Sequence, residues 1–260
     1  MCVQCDKDSL GGITMKVKIN GQELEAREGE TILELCLRND IHIPHFCYHP
    51  AFGGQGACRM CLVELKEPGR KDSRLVASCT YPIHSFVEVI TESERIQRLR
   101  RNIVMLLARR ASQNPWMKEL VEQYGAPSMP AVETEPANCI LCGLCIHACE
   151  KMGKTAIWSM FRGIEKRIAT PYDEAADECI GCASCAQICP TQAIKMEEDA
   201  TTRIIWNRSF ELVACKRCGK NFATREQIAY MRESSGYEFD ELCDHCRKVT
   251  LAQNMRQYNQ

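Results

Sequence analysis

The strongest constraint on this chain is the grouping of its cysteines. It has 260 residues, of which 19 are Cys, well above ordinary usage in a globular chain of this size. Most fall into sets. Cys47, Cys58, Cys61 and Cys79 are spaced C-x10-C-x2-C-x17-C. Cys139, Cys142, Cys145 and Cys149 read C-x2-C-x2-C-x3-C, and Cys179, Cys182, Cys185 and Cys189 repeat that pattern 40 residues later. Cys215, Cys218, Cys243 and Cys246 read C-x2-C-x24-C-x2-C. In a reducing compartment, cysteine sets mean metal or redox chemistry rather than disulfides. The polar start shows no signal peptide, and no apolar run approaches the roughly 18 residues of a membrane span. The expected location is therefore cytoplasmic, with no membrane span.

Charge excludes little but points away from one class. Lys and Arg total 33 against 34 Asp and Glu, a formal net charge of −1, which gives no support to a general nucleic-acid binder. With 45% hydrophobic residues the chain can bury cores.

The expected fold class is α+β, in modules strung along the chain. Residues 1–14, with Cys2 and Cys5, read as an extension. Residues 15–92 read as a β-grasp domain. Lys16 to Asn20 and Gln22 to Ala26 form a hairpin around Asn20-Gly21. Thr31 with Glu34 makes a capping box for a short helix that buries Cys36, and strands follow at Leu62 to Lys66 and Ser85 to Ile90. A [2Fe–2S] centre held by four thiolates carries net negative charge, so its burial needs backbone N–H groups aimed at sulfur. The small, glycine-rich run Ala51 to Ala57 lets the backbone supply them.

Residues 93–135 read as a helical linker. Ile96, Leu99, Ile103, Leu106 and Leu107 recur at helical spacing; Arg95, Arg98, Arg100, Arg101, Arg109 and Arg110 read as a solvated basic face. Asn114-Pro115 breaks the helix and Trp116 to Gly125 starts another. Residues 136–198 carry the paired runs of a bacterial two-cluster ferredoxin, in which the fourth cysteine of each run serves the other cluster. One [4Fe–4S] is thus assigned to Cys139, Cys142, Cys145 and Cys189, the second to Cys149, Cys179, Cys182 and Cys185. His147 reads as a residue beside the ligands. Residues 199–260 read as a small zinc-ribbon-like tail, with Cys215, Cys218, Cys243 and Cys246 as a structural zinc site. A further iron–sulfur cluster is the alternative there.

The run Cys47 to Cys61, CYHPAFGGQGACRMC, resembles the [2Fe–2S] domain of the large iron–sulfur subunit of NADH:quinone oxidoreductase (complex I) and of the diaphorase iron–sulfur subunit of NAD-linked hydrogenases. The resemblance implies Cys47, Cys58, Cys61 and Cys79 as the [2Fe–2S] ligands. CILCGLCIHACE is similar to the matching complex I segment. One departure stands out: residues 80–138 contain no cysteine, so the one-histidine, three-cysteine [4Fe–4S] site of that family is expected to be missing.

The resemblance implies an electron-transfer subunit of a multi-subunit oxidoreductase. Its partners would be a flavin-containing NAD(P)H-oxidising subunit and a catalytic subunit such as a hydrogenase or formate dehydrogenase. An electron-bifurcating assembly, with ferredoxin as a further partner, is compatible. A free-standing polyferredoxin is the alternative. The chain shows no G-x-G-x-x-G between a strand and a helix, no P-loop and no acid/base or nucleophile set, so catalytic residues are expected on other subunits.

Overall fold

The computed structural model describes residues 14–133, 136–236 and 239–258. Cys2 and Cys5 lie outside the described residues. The chain divides into two compact units, one of residues up to 133 with 138–143, the other of 134–137 with 144 onward.

The first unit opens with the hairpin of β1 (Thr14–Ile19) and β2 (Gln22–Arg27), in register from Thr14↔Arg27 to Ile19↔Gln22. Asn20 and Gly21 both have positive φ, 49° and 87°, which is the tight turn that Asn-Gly favours. Helix α1 (Ile32–Arg38) starts at a complete capping box: the Glu34 amide donates to Thr31 Oγ1 at 3.3 Å and the Thr31 amide to Glu34 Oε2 at 2.9 Å. Its apolar face, with Cys36, is fully buried. Two short strands, β3 (Tyr48–His49) and β4 (Gly53–Gly54), pair within the cysteine loop. Then come β5 (Leu62–Lys66), β6 (Arg74–Ala77) and β7 (Glu88–Ile90). The sheet order is β2-β1-β7-β5-β6, with β1 and β7 parallel. That mixed sheet with one helix across it is the β-grasp arrangement, and its core is built on Val17, Ile19, Leu33, Leu65 and Val89.

Helices α2 (Glu94–Arg110) and α3 (Pro115–Tyr124) complete this unit. Asn114 caps α3, Pro115 occupies its first turn, and Gly125 ends it at a left-handed φ of 57°, an arrangement that places each residue where its backbone preference is met. The basic face expected on α2 needs correction at one residue, for Arg95, Arg98 and Arg101 are exposed but Arg100 is buried. Arg100 is 2% exposed. It donates from Nε to the Met60 carbonyl at 3.1 Å and from Nη2 to the Leu62 and Thr91 carbonyls at 3.2 and 3.1 Å, and pairs through Nη1 with Glu92 at 2.6 Å. A guanidinium with its donors satisfied can be buried where an unpaired one cannot.

The second unit contains α4 (Leu144–Lys151), the hairpin β8 (Trp158–Met160) with β9 (Arg167–Ala169), and α5 (Ser184–Gln187). A four-stranded antiparallel sheet follows: β10 (Met196–Glu198), β11 (Thr202–Ile205), β12 (Arg208–Ala214) and β13 (Asn221–Thr224), in that order. Helices α6 (Arg225–Ser235) and α7 (Asp244–Tyr258) end the described chain. Among the described residues, no helix is long and apolar enough to cross a membrane.

Candidate metal centres

In the first unit the chain folds Cys47, Cys58, Cys61 and Cys79 into one buried cluster of sulfurs. Each is at most 3% exposed. The loop turns its amides inward: Phe46 N–H donates to Cys58 Sγ and Cys58 N–H to Cys47 Sγ, both at 3.4 Å. The Ala57 amide also supports Cys47, and the Gly56 amide supports Cys79. Gly54 has no room for a side chain, because a Cβ there would overlap the Cys79 carbonyl and Cβ. The glycine-rich loop thus wraps sulfur closely, as its composition requires. Trp116 of α3 packs edge-on against Phe46, ring centroids 4.8 Å apart, and Arg100 grips the Met60 carbonyl between Cys58 and Cys61.

The four sulfurs share protons. Hydrogen bonds from the Cys58 and Cys79 thiols hold Cys47 far below the usual thiol range. The same contacts push Cys58 and Cys79 well above it. The Cys79 thiol, with the Cys79 amide, brings Cys61 down to about 6. A crowded, buried, amide-lined set of this kind is suited to holding an iron–sulfur group as thiolates, with the thiol protons lost to solvent as the group binds.

In the second unit Cys149, Cys179, Cys182 and Cys185 line a single cavity, closed by Met152, Ile157, Ile180, Ile205 and Trp206. Amides of Ala156 and Ile157 reach Cys149, and that of Gly181 reaches Cys179. Burial raises Cys149 and Cys179 and pushes Cys185 up to about 12, the behaviour of thiols placed for a cationic metal core that would stabilise the thiolates. Sulfur donors, inward amides and an apolar lid fit a [4Fe–4S] group.

The strands beyond the repeat complete this wall, and sequence reasoning missed them. At the β11–β12 turn, Trp206 Nε1–H donates to Cys185 Sγ at 3.4 Å. Arg208 Nη1 donates to the Ala176, Asp177 and Cys179 carbonyls at 3.0, 2.8 and 3.0 Å. Arg203 holds the Gly181 carbonyl at 2.7 Å and Thr224 Oγ1 the Ile180 carbonyl at 2.5 Å. Four side chains from the sheet therefore fix the Cys179–Cys185 loop.

The remaining expected ligands are placed as follows. Cys139 and Cys142, in the first unit, are buried, and the Cys139 carbonyl accepts from Arg110 Nε at 3.1 Å. In the second unit Cys145 is buried on α4, and Cys189 Sγ accepts from the Ala193 amide at 3.3 Å. His147 pairs with Glu150 at 2.8 Å. In the tail, the sulfurs of Cys215, Cys218, Cys243 and Cys246 all lie within 4.8 Å of one another. Burial raises the Cys215 thiol, but amides of Cys243, Cys218 and Arg217 outweigh it and bring the group down to about 6; burial pushes Cys246 up to about 12. This is a four-thiol set of metal-binding size.

Two stretches of the chain match known domain families. Residues 13–94 match the 2Fe-2S iron-sulfur cluster binding domain family, and residues 133–196 match the 4Fe-4S dicluster domain family. The fold and these matches thus define a chain with ferredoxin-type [2Fe–2S]- and [4Fe–4S]-binding domains. Within that class the chain is homologous, at modest identity, to the 75 kDa-type subunit of NADH-quinone oxidoreductases and to a chain of an NAD+-reducing hydrogenase. It is 26% identical over 217 residues to the NADH-ubiquinone oxidoreductase 75 kDa subunit of Reclinomonas americana, covering 74% of this chain and 31% of the relative. The same figures hold for the corresponding NADH-quinone oxidoreductase chain of Rickettsia bellii (strain RML369-C). The chain therefore spans about a third of the length of these relatives. The crystal structure of NAD+-reducing [NiFe]-hydrogenase in the H2-reduced state contains a chain that superposes with a TM-score of 0.53 at 26% identity, covering 60% of this chain and 74% of that one.

Proposed function

We propose that this chain is a relay subunit that carries low-potential electrons between a flavin-containing NAD(P)H-oxidising subunit and a catalytic oxidoreductase subunit. The observation that carries this reading is the pair of amide-lined cysteine pockets, the first fully buried and the second lined by apolar side chains. When bound, an iron–sulfur cluster accepts and releases single electrons with little movement of its ligands. The chain's own residues hold, insulate and tune it. Cys47, Cys58, Cys61 and Cys79 would hold one [2Fe–2S]. Cys139, Cys142, Cys145 and Cys189 would hold one [4Fe–4S], and Cys149, Cys179, Cys182 and Cys185 a second. Cys215, Cys218, Cys243 and Cys246 would hold zinc, a closed tetrahedral site without redox chemistry.

The relatives, named as a component of NADH-quinone oxidoreductase and as part of an NAD+-reducing hydrogenase, support a subunit over a diffusible carrier. Anaerobic affinity capture from the native cell tests this. A flavin protein and a metal-containing catalytic chain should copurify. Recovery of a lone 29.5 kDa species would favour the polyferredoxin reading.

A further inference from the structure

Trp206 occupies a backbone position that its side chain disfavours. It is the first residue of the β11–β12 turn, at φ 54°, followed by Asn207 at φ 59°. A left-handed conformation is disfavoured for a bulky residue, and glycine or asparagine fills such turns more easily. The indole has two contacts that account for its presence. Its Nε1–H points at Cys185 Sγ, 3.4 Å away. Together with Ile205, it also lines both the cavity of the second cysteine set and a groove of about 330 Å³ that opens to solvent beside Arg167, Asp173, Lys195 and Asn207. The indole is thus part of the wall between that cavity and water. Trp206 lies beyond the residues matched by the dicluster family, which end at 196.

We propose that Trp206 is a positioning residue that raises the reduction potential of the [4Fe–4S] group held by Cys149, Cys179, Cys182 and Cys185, acting through its hydrogen bond to Cys185. The proposal rests on the second-cluster reading above. Reduction adds one electron and forms or breaks no bond; the added negative charge spreads onto the ligand sulfurs. An N–H dipole aimed at one of those sulfurs stabilises the reduced form more than the oxidised form. Arg208, fixed over the carbonyls of Ala176, Asp177 and Cys179, adds positive charge on the same side and acts in the same direction. The C-terminal sheet is therefore part of the electrostatic shell of this cluster.

The test is stepwise reduction of the anaerobically prepared full chain at controlled potential, read by EPR, for the wild type and Trp206→Phe. Phenylalanine keeps a ring against the cavity and removes the donor. The expected result is unchanged iron content and a shift of one [4Fe–4S] equilibrium by about tenfold toward the oxidised form, about 59 mV for a one-electron couple, with the other centres unmoved. Full iron content with no shift would overturn the proposal. A second measurement needs no variant: wild type carrying indole-15N tryptophan should show nitrogen hyperfine coupling in one reduced [4Fe–4S] signal, and its absence also overturns the proposal. Failure of the cluster reading itself would look different, as wild-type protein short of iron and sulfide.

Discussion

Gly181 backs directly onto Phe210: a Cβ on Gly181 would meet the Phe210 ring at 2.6 Å and the Thr224 methyl at 2.9 Å. Gly181 sits between Ile180 and Cys182 with φ +65°. Neither ring nor strand can yield easily, because Phe210 is 1% exposed. Gly181→Ala combines that overlap with a disfavoured backbone, at a cost of about 2–3 kcal/mol. The variant should lose one [4Fe–4S] signal while the [2Fe–2S] spectrum persists; iron analysis with EPR reads both.

Arg100 ties α2 to the segments flanking the first cluster loop. Arg100→Met leaves the Met60, Leu62 and Thr91 carbonyls without their donor in a buried site, which predicts a loss of about 3 kcal/mol. Thermal unfolding followed by circular dichroism should show a melting temperature lower by several degrees. A melting curve that matches the wild type would mean that the bonds add nothing net.

Glu30 supplies a pH-dependent contribution. Burial alone would raise its carboxyl, but the bonds from Arg38 Nε and Nη2, both 2.9 Å, and from the Arg27 amide at 3.0 Å outweigh that, so it lies below its ordinary value of 4.5. A depressed carboxylate stabilises the fold fully above the unfolded value and ceases to do so as pH falls through the folded one. Glu30→Gln should therefore be less stable than wild type by about 1 kcal/mol at pH 7, allowing for the partly exposed Arg38. That gap should close below pH 4.5. Denaturant unfolding of both proteins in matched buffers measures it.

The tail makes a separate prediction about metal content. Cys246→Ser should remove bound zinc, leave the iron content unchanged, and make residues 215–258 easier to cleave in limited proteolysis. Loss of about four iron atoms with no zinc present in the wild type would instead place a further cluster at this site.

Much of this architecture is readable from local signals. Asn20-Gly21 specifies its hairpin, Thr31 and Glu34 their capping box, and Asn114-Pro115 the start of α3, because each depends on residues within one turn. The cysteine spacings supply the ligand candidates for the same reason. Arg100 reads as a solvated residue in sequence because it stands among other arginines; its carbonyl partners at Leu62 and Met60 lie 38 and 40 residues away. Trp206-Asn207 lacks the Gly that usually marks a tight turn, so the β11–β12 hairpin carries no sequence signal. The contacts of Trp206, Arg208 and Thr224 with the second cluster loop span 21, 29 and 44 residues respectively. Such pairings arise from sheet packing, which no local pattern encodes.

An electron relay through this chain requires iron and sulfide in these pockets, and elemental analysis of protein kept free of oxygen throughout tests that most directly. The expected result is about ten iron atoms per chain with matching acid-labile sulfide, and EPR signals of both cluster types after reduction. Colourless, EPR-silent protein that contains only zinc would contradict it.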